Sequence, residues 1–172
     1  MPSLIDLFLP DLMCETYRLV PFDTFRERGV SVVVFDIDNT LVSYETAEPD
    51  EPCRAFLKEM EQNGFSLAFV SNNSPERVER FNRFFNYFSV PDAKKPSKKA
   101  LDPVLKRFGV SPKNVLFVGD QLLTDVLCAR RCGTFSVTVS PIKKKENLFF
   151  RFKRMLERPL IRIYHKRKEE QK

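Results

Sequence analysis

Val32-Val33-Val34-Phe35-Asp36-Ile37-Asp38-Asn39-Thr40 is the stretch that decides how the rest of this 172-residue chain is read. Four apolar residues with no polar alternation run straight into Asp-x-Asp-x-Thr. Such a run suits a parallel strand covered on both faces. Alternate side chains on a strand share a face, so Asp36 and Asp38 are expected to project together where the strand ends. Two carboxylates there repel one another unless a proton or a cation compensates them. An oxygen-only pair suits Mg²⁺, or Mn²⁺, which take carboxylate, carbonyl and water ligands. Taken alone, the pattern is equally well explained by a surface turn, since Asp and Asn both favour turns.

Working outward, Ser66–Val70, Val115–Val118 and Thr134–Val139 join Ser31–Phe35 as expected strands. Between them lie expected helices: Glu51–Asn63, stopped by Gly64; Ser74–Phe85, opened by Ser-Pro; Ser97–Phe108, before Gly109; and Thr124–Arg131, shortly before Gly133. Strands alternating with helices predict an α/β domain with a parallel sheet whose right-handed crossovers gather the polar strand ends on one edge. Those ends carry chemistry. Ser71-Asn72-Asn73-Ser74 offers a hydroxyl, an amide and helix N-terminal N–H groups, all suitable donors to phosphate oxygens; Ser74 is better read as a helix cap. Lys94-Lys95-Pro96-Ser97 brings a cation to the start of a helix, where it would neutralise a phosphate and the aspartates, although a solvated charge run is the better reading for Lys94, Lys98 and Lys99. Val115-Leu116-Phe117-Val118-Gly119-Asp120 ends in an acid, with Asp125 five residues on, and Gly119 is expected to let the backbone turn so that Asp120 faces the edge of Asp36. Four such pieces converging on one crevice read as an active site.

In this order, Asp36-x-Asp38-x-Thr40, Ser71, Lys95-Pro96 and Gly119-Asp120-x₄-Asp125 resemble the four sequence motifs of haloacid dehalogenase superfamily phosphatases. The wording FDIDNTLV, SNN, AKKPSKKAL and VGDQLLTDV, with the Leu-Pro-Asp of the N-terminal segment, is similar to YqeG-like proteins of subclass IIIA. The resemblance implies a Rossmann-like three-layer α/β/α sandwich and a Mg²⁺-dependent phosphatase. It implies Asp36 as nucleophile, Asp38 as general acid and base, Ser71 and Lys95 (with Asn72) on the phosphoryl oxygens, and Mg²⁺ on Asp36, the Asp38 carbonyl and Asp120. Lys95 rather than Lys94 is chosen because the family lysine precedes proline. Thr40 and Gly119 are supporting residues; Asp125 either positions metal-bound water or orients Lys95.

The length suits one domain, residues 1–172, with a core at about 30–140, an N-terminal segment 1–29 packed on the sheet and a C-terminal segment 141–172. The gaps Thr40–Ser71 and Ser71–Lys95 leave no room for an inserted cap, so the site is expected to be open and to serve large substrates: proteins, nucleic-acid ends or lipid head groups. No run of roughly 18 apolar residues predicts a membrane span, the acidic N-terminus does not read as a secretory signal, and Cys14, Cys53, Cys128 and Cys132 read as free thiols of a cytoplasmic protein. Charge is uneven: residues 141–172 carry twelve Lys or Arg against four Glu, a balance of +8, whereas the remainder stands at −2. Within this tail Leu148, Phe149, Phe152, Met155, Leu156, Leu160 and Ile163 recur at helical spacing among basic residues. That pattern is either a basic amphipathic helix lying on an anionic membrane or a terminal helix packing its apolar stripe on the sheet. Pro159 is expected to kink or stop it, and His165 to lie on the surface. YqeG-like relatives associated with phosphatidylglycerophosphate make that lipid, met peripherally at the inner face of the membrane, the expected substrate. A phosphatase of nucleic-acid ends and a non-enzymatic module binding RNA or a ribosome are the competing readings.

Overall fold

The computed structural model describes residues 3–143 and 148–170, with 148–150 described by backbone alone. Six strands, β1 (Leu12–Cys14), β2 (Val32–Phe35), β3 (Ser66–Val70), β4 (Phe88–Val90), β5 (Val115–Gly119) and β6 (Phe135–Val139), form one sheet in the order β1-β6-β5-β2-β3-β4. Every pairing is parallel. From β2 the chain moves outward through β3 and β4, then returns to the other side of β2 for β5 and β6. The order therefore reverses between β2 and β5, and carboxyl-end loops that diverge at such a switch point open a crevice. In register, Phe35 stands opposite both Phe69 and Val118. The residues that follow these three positions consequently meet at one edge.

The absence of polar alternation in β2 has a simple cause, because both faces are covered. Val33 and Phe35 point into one core with Leu67, Phe69, Leu116 and Val118, roofed by α1 (Phe22–Glu27), α2 (Glu51–Gln62) and α3 (Pro75–Asn82). Val32 and Val34 point into the other with Ala68, Val70, Val115 and Phe117, roofed by α4 (Asp102–Phe108) and α5 (Leu127–Cys132). The first core is aromatic: Phe69 lies 5.2 Å from Phe81, 5.8 Å from Phe85 and 5.7 Å from Tyr87, ring centre to ring centre. Phe35 meets Phe22 and Phe56 at 6.2 and 6.3 Å. Much of the unusual Phe content is used here.

Four strands lie within a residue of the expected bounds. β1 and β4, each of three half-buried residues, were not expected, being too short to give a periodic signal. Helix starts are set by side-chain caps: Asp50 accepts from the Cys53 N–H, and Ser74 from the Arg77 N–H. The helix expected at Ser97–Phe108 is a 3₁₀ turn, Lys98–Leu101, running into α4; the one expected from Thr124 begins as a π turn, Leu122–Val126. Between Thr40 and Ser71 there is only a loop, α2 and β3, and between Ser71 and Lys95 only α3 and β4, so no cap is inserted.

The last helix, α6 (Leu148–Glu169), corrects the expectation for Pro159 and bears on the two readings of its apolar stripe. It runs through Pro159 as 22 continuous residues. The carbonyl that Pro159 frees one turn back belongs to Met155, which is 53% exposed, so it faces the solvent side of the helix. Of the apolar stripe, Leu160 and Ile163 are half-buried, and the part nearer the N-terminus of the helix does not pack inward. Phe152, Met155 and Leu156 are exposed, while Glu157 is 1% and Tyr164 7% exposed. Leu148 and Phe149 fall outside the residues whose side chains are described. The four cysteines are free thiols, His165 is exposed, and no helix among the described residues is long and apolar enough to cross a membrane.

Phe69→Ala should lower stability to urea by about 3–5 kcal/mol, whereas Phe152→Ala should change it by no more than about 0.5 kcal/mol. Equal losses would contradict the division into a packed aromatic core and an outward-facing stripe.

Candidate active site

Asp36 follows β2 directly, and its N–H continues the ladder by donating to the Val118 carbonyl at 2.9 Å. Its carboxylate is nearly removed from solvent. Oδ1 accepts from Lys95 Nζ at 2.7 Å, and Oδ2 lies 3.4 Å from the Thr40 hydroxyl, which donates to it. The turn between Asp38 and Thr40 is made by Asn39 at φ 66°, a region in which Asn is among the few tolerated side chains.

Lys95 reaches this edge from the loop after β4, with its side chain 3% exposed. Its ammonium touches Asp36 at 2.7 Å, Asp125 Oδ1 at 2.8 Å and the Val70 carbonyl at 3.0 Å. Burial alone would lower the lysine's pKa, but the carboxylates of Asp125 and Asp36 outweigh it and hold the pKa above the usual lysine value. Asn72 fixes the loop: its side-chain Oδ1 accepts from the Lys95 N–H at 2.7 Å and its Nδ2 donates to the Lys95 carbonyl at 3.0 Å. Asn72 lines the crevice as expected, yet both polar atoms of its side chain are spent on the lysine's main chain.

Asp120 follows β5 directly and Asp125 sits in the π turn beyond it, a deformation frequent at functional sites. Gly119 matters for space rather than for a turn: a Cβ there would stand 2.4 Å from Asp125 Oδ2. Its φ is not left-handed, which revises the reason expected from the sequence. One oxygen from each of Asp36, Asp120 and Asp125 lies within 4.8 Å of the other two. Asp120 Oδ1 is buried with no hydrogen-bond partner among the described residues. Three buried carboxylates, all-oxygen donors and an unpaired oxygen fit a hard divalent cation such as Mg²⁺. Burial, reinforced by Asp125 and Asp120 against the opposing Lys95, pushes Asp36 up to about 7. Burial and Asp125, opposed by Arg154, push Asp120 up to about 6.

Asp38 does not share the company of Asp36. Its Oδ1 accepts from Arg77 Nη2 at 2.8 Å and its Oδ2 from Asn73 Nδ2 at 3.0 Å, placing it at the rim. Arg77 also donates to the carbonyls of Thr46 and Ala47, so one guanidinium ties α3, the loop before α2 and Asp38 together. The two aspartates are thus compensated by different cations, and the mutual repulsion expected from their spacing does not arise. Ser71, 2% exposed, accepts from the Asn73 N–H through its Oγ at 3.0 Å.

Asp36, Asp38, Ser71, Asn72, Asn73 and Lys95 line a crevice of about 200 Å³, together with Gln121, Thr124 and Lys153. Sequence reasoning missed Arg77, which carries no motif signal, and the contribution of α6. Arg154 of that helix donates to the Asp120 carbonyl at 2.8 Å, to Asp120 Oδ2, and to Glu157 Oε2 at 3.0 Å. Glu157 in turn caps the π turn, its Oε1 accepting from the N–H groups of Leu122 and Leu123 at 2.8 and 3.2 Å.

A family model described as haloacid dehalogenase-like hydrolase matches residues 44–133, more than half of the chain. The chain belongs to this family. The probable phosphatase YqeG of Bacillus subtilis is 30% identical to this haloacid dehalogenase-like hydrolase over 154 residues, covering 90% of both chains. Phosphatidylglycerophosphate phosphatase 1 of Arabidopsis thaliana is 26% identical over 167 residues, covering 90% of this chain and 47% of that protein. Among solved structures, an uncharacterized Listeria monocytogenes protein matches with a TM-score of 0.55 at 18% identity, covering 69% of this chain and 85% of that one. The cobalt-bound octulosonate 8-phosphate phosphatase YrbI of Haemophilus influenzae matches with a TM-score of 0.53 at 17% identity, covering 67% and 72%. These last two establish the fold of this hydrolase, an α/β sandwich of the same type.

Gly119→Ala should displace Asp125 from Lys95 and reduce hydrolytic turnover by about 100-fold. Unchanged turnover would contradict the close approach. A second expectation concerns pH. Asp36 and Asp120 titrate higher in the folded chain than the ordinary carboxylate value of 3.8, so between about pH 4 and 7 the folded state binds more protons than the unfolded. Stability of the metal-free protein should therefore fall as pH rises through that window, and Mg²⁺ should flatten the decline. A chelator-treated protein whose melting temperature stays level or rises from pH 5 to 7 would refute the burial of uncompensated charge.

Proposed function

We propose that the chain is a Mg²⁺-dependent phosphomonoesterase working through a phosphorylated Asp36, and that its substrate is phosphatidylglycerophosphate at an anionic membrane surface. The observation that carries the chemistry is the Asp36–Lys95–Asp125 constellation at the switch point. It holds a carboxylate in the open crevice with one oxygen fixed by an ammonium and three carboxylates gathered for a cation.

In this reading an Asp36 oxygen attacks phosphorus, a P–O bond forms, and the ester P–O bond breaks. Asp38, at the rim and aimed by Arg77 and Asn73, gives its proton to the departing alkoxide. Water then attacks the aspartyl phosphate, Asp38 takes the water's proton, and inorganic phosphate leaves as the Asp36 carboxylate is restored. Lys95 and Ser71 hold phosphoryl oxygens, while Asn72 holds Lys95 and Thr40 steadies Asp36. Asp36 and Asp120, with the Asp38 carbonyl, would hold Mg²⁺, which supplies charge neutralisation for the transferring group. Asp125 orients Lys95, the role its 2.8 Å contact favours over positioning water.

Three observations favour a large lipid substrate. A crevice of about 200 Å³ is smaller than ordinary small-molecule pockets, so it admits a phosphoryl group and leaves the rest of the substrate outside. No cap encloses the site. The outer face of α6 presents Phe152, Met155 and Leu156 beside Arg151, Arg158, Arg162 and Lys166, and the acid within that stretch, Glu157, is buried. Such a face suits an anionic bilayer, with each basic residue contributing on the order of 1 kcal/mol near the surface. The name of the Arabidopsis relative supplies the head group. The same reading places the protein peripherally at the cytoplasmic face of a membrane.

Phosphate release from phosphatidylglycerophosphate in mixed micelles with Mg²⁺ should exceed that from a simple soluble ester by at least about 100-fold, and Asp36→Asn should abolish both. Equal rates on both substrates would overturn the lipid assignment and turn the search to nucleic-acid ends. Full activity in Asp36→Asn would overturn the nucleophile.

A further inference from the structure

Asp120 is held differently from the other two acids of its cluster. Asp36 and Asp125 both bond to Lys95, whereas the cation bonded to Asp120 comes from α6. Arg154 donates through Nη1 to the Asp120 carbonyl at 2.8 Å and through Nη2 to its Oδ2. A planar fork bonded to two atoms of one residue fixes the rotation of the carboxylate as well as its place. What remains is Oδ1, buried and without a hydrogen-bond partner among the described residues. A buried acceptor left in that state costs free energy until something binds it. Arg154 is itself held. Its Nη1 also donates to Glu157 Oε2 at 3.0 Å, and Glu157 Oε1 accepts from the Leu122 and Leu123 N–H groups that open the π turn carrying Asp125.

Resting on the reading of the three carboxylates as a cation site, we propose that Arg154 is a positioning residue for the metal. It occupies the carbonyl and Oδ2 of Asp120, so that Oδ1 is the oxygen left to a divalent cation, and Glu157 keeps it in that place. Two effects of a guanidinium here oppose one another. Its charge repels a second cation, which weakens binding. Its fork holds the carboxylate in one orientation, which spares the cation the cost of ordering it. The placement decides between them. The Arg154 side chain is 34% exposed, so water screens its charge, whereas the Asp120 side chain that it orients is 1% exposed. Partners that orient a ligating group in this way are typically worth about 10- to 100-fold in metal affinity. The C-terminal helix, whose outer face is basic and apolar, thereby supplies a working part of the metal site from its inner face.

The test titrates Mg²⁺ into full-length, chelator-stripped protein by calorimetry, with no substrate present. Arg154→Ala should weaken Mg²⁺ binding by about tenfold or more. Arg154→Lys keeps the charge and loses the fork, so its affinity should fall between those of the Ala variant and the wild type. Glu157→Gln keeps an acceptor for the Leu122 and Leu123 N–H groups but removes the anion that holds Arg154, and should also weaken Mg²⁺ binding, by a smaller factor. Tyr164→Phe is the control for docking alone. It removes the acceptor of the Met13 N–H at the far end of α6, and should lower the melting temperature while leaving Mg²⁺ affinity unchanged. Tighter binding in Arg154→Ala would overturn the proposal by making Arg154 a competitor of the cation. Equal affinity in all variants would overturn it by reducing the contact to a fastening of the helix. Wild type that takes up no divalent cation would overturn both this assignment and the metal-dependent reading. Wild type and variants that bind Mg²⁺ in the expected order, yet release no phosphate from any ester, would sink the phosphatase reading and leave the assignment of Arg154 standing.

Discussion

Everything at the working edge of this protein depends on one buried ammonium. Asp36, Asp120 and Asp125 bring three carboxylates into a space from which water is largely excluded, and Lys95 is the cation held among them with 3% exposure of its side chain. Removing one member of a buried ion pair leaves an uncompensated charge that costs about 3–5 kcal/mol. The surroundings are built to keep the lysine in place: the Asn72 side chain clamps its main chain from both sides, and the Val70 carbonyl takes a third ammonium proton. Such concentrations of perturbed groups belong to reactive sites more often than to structural ones. Here the residual negative charge is what would draw in a divalent cation and, with it, a phosphoryl group.

The parallel sheet is the means by which this crowding is achieved. Residues 36, 71, 95 and 120 are far apart in sequence, but each follows a strand of one sheet, and the switch point between β2 and β5 sets Asp36 beside Asp120. The apolar strands fix the register from both faces, so the positions of the acids are determined by hydrophobic packing beneath them. A helix from outside that core completes the arrangement. Arg154 and Glu157 couple α6 to the Asp120 loop through charge-assisted hydrogen bonds, so the segment that meets bulk solvent on one side meets the reactive carboxylates on the other.

How much of this could be read beforehand follows from where the signals lie. The strand-to-acid junctions at Phe35-Asp36 and Gly119-Asp120, and the polar run from Ser71, were legible because a buried strand ending in polar residues is a local pattern. The strand before Lys95 was not, since Phe88–Val90 is three residues long and half-buried. Arg77 was invisible for a different reason: its meeting with Asp38 spans 39 residues of sequence and depends on how α3 packs. Periodicity decided least in α6. Its apolar spacing fitted an outward basic amphipathic face and an inward stripe equally well, and the contacts that dock the helix are polar, made by Arg154, Glu157, Tyr164 and Arg167, which no apolar spacing reports. Hydrophobic pattern reports which side of a helix is apolar, and not which side the rest of the chain covers.

The central claim is that Asp36 becomes covalently phosphorylated, and trapping that species tests it most directly. Wild-type protein mixed with excess phosphatidylglycerophosphate and Mg²⁺, quenched in acid and digested, should yield a phosphorylated peptide containing Asp36. That phosphoryl group should be released by neutral hydroxylamine, as an acyl phosphate is. A phosphoryl group found on another residue, or rapid phosphate release with no trapped species and with direct transfer to solvent water, would contradict the account.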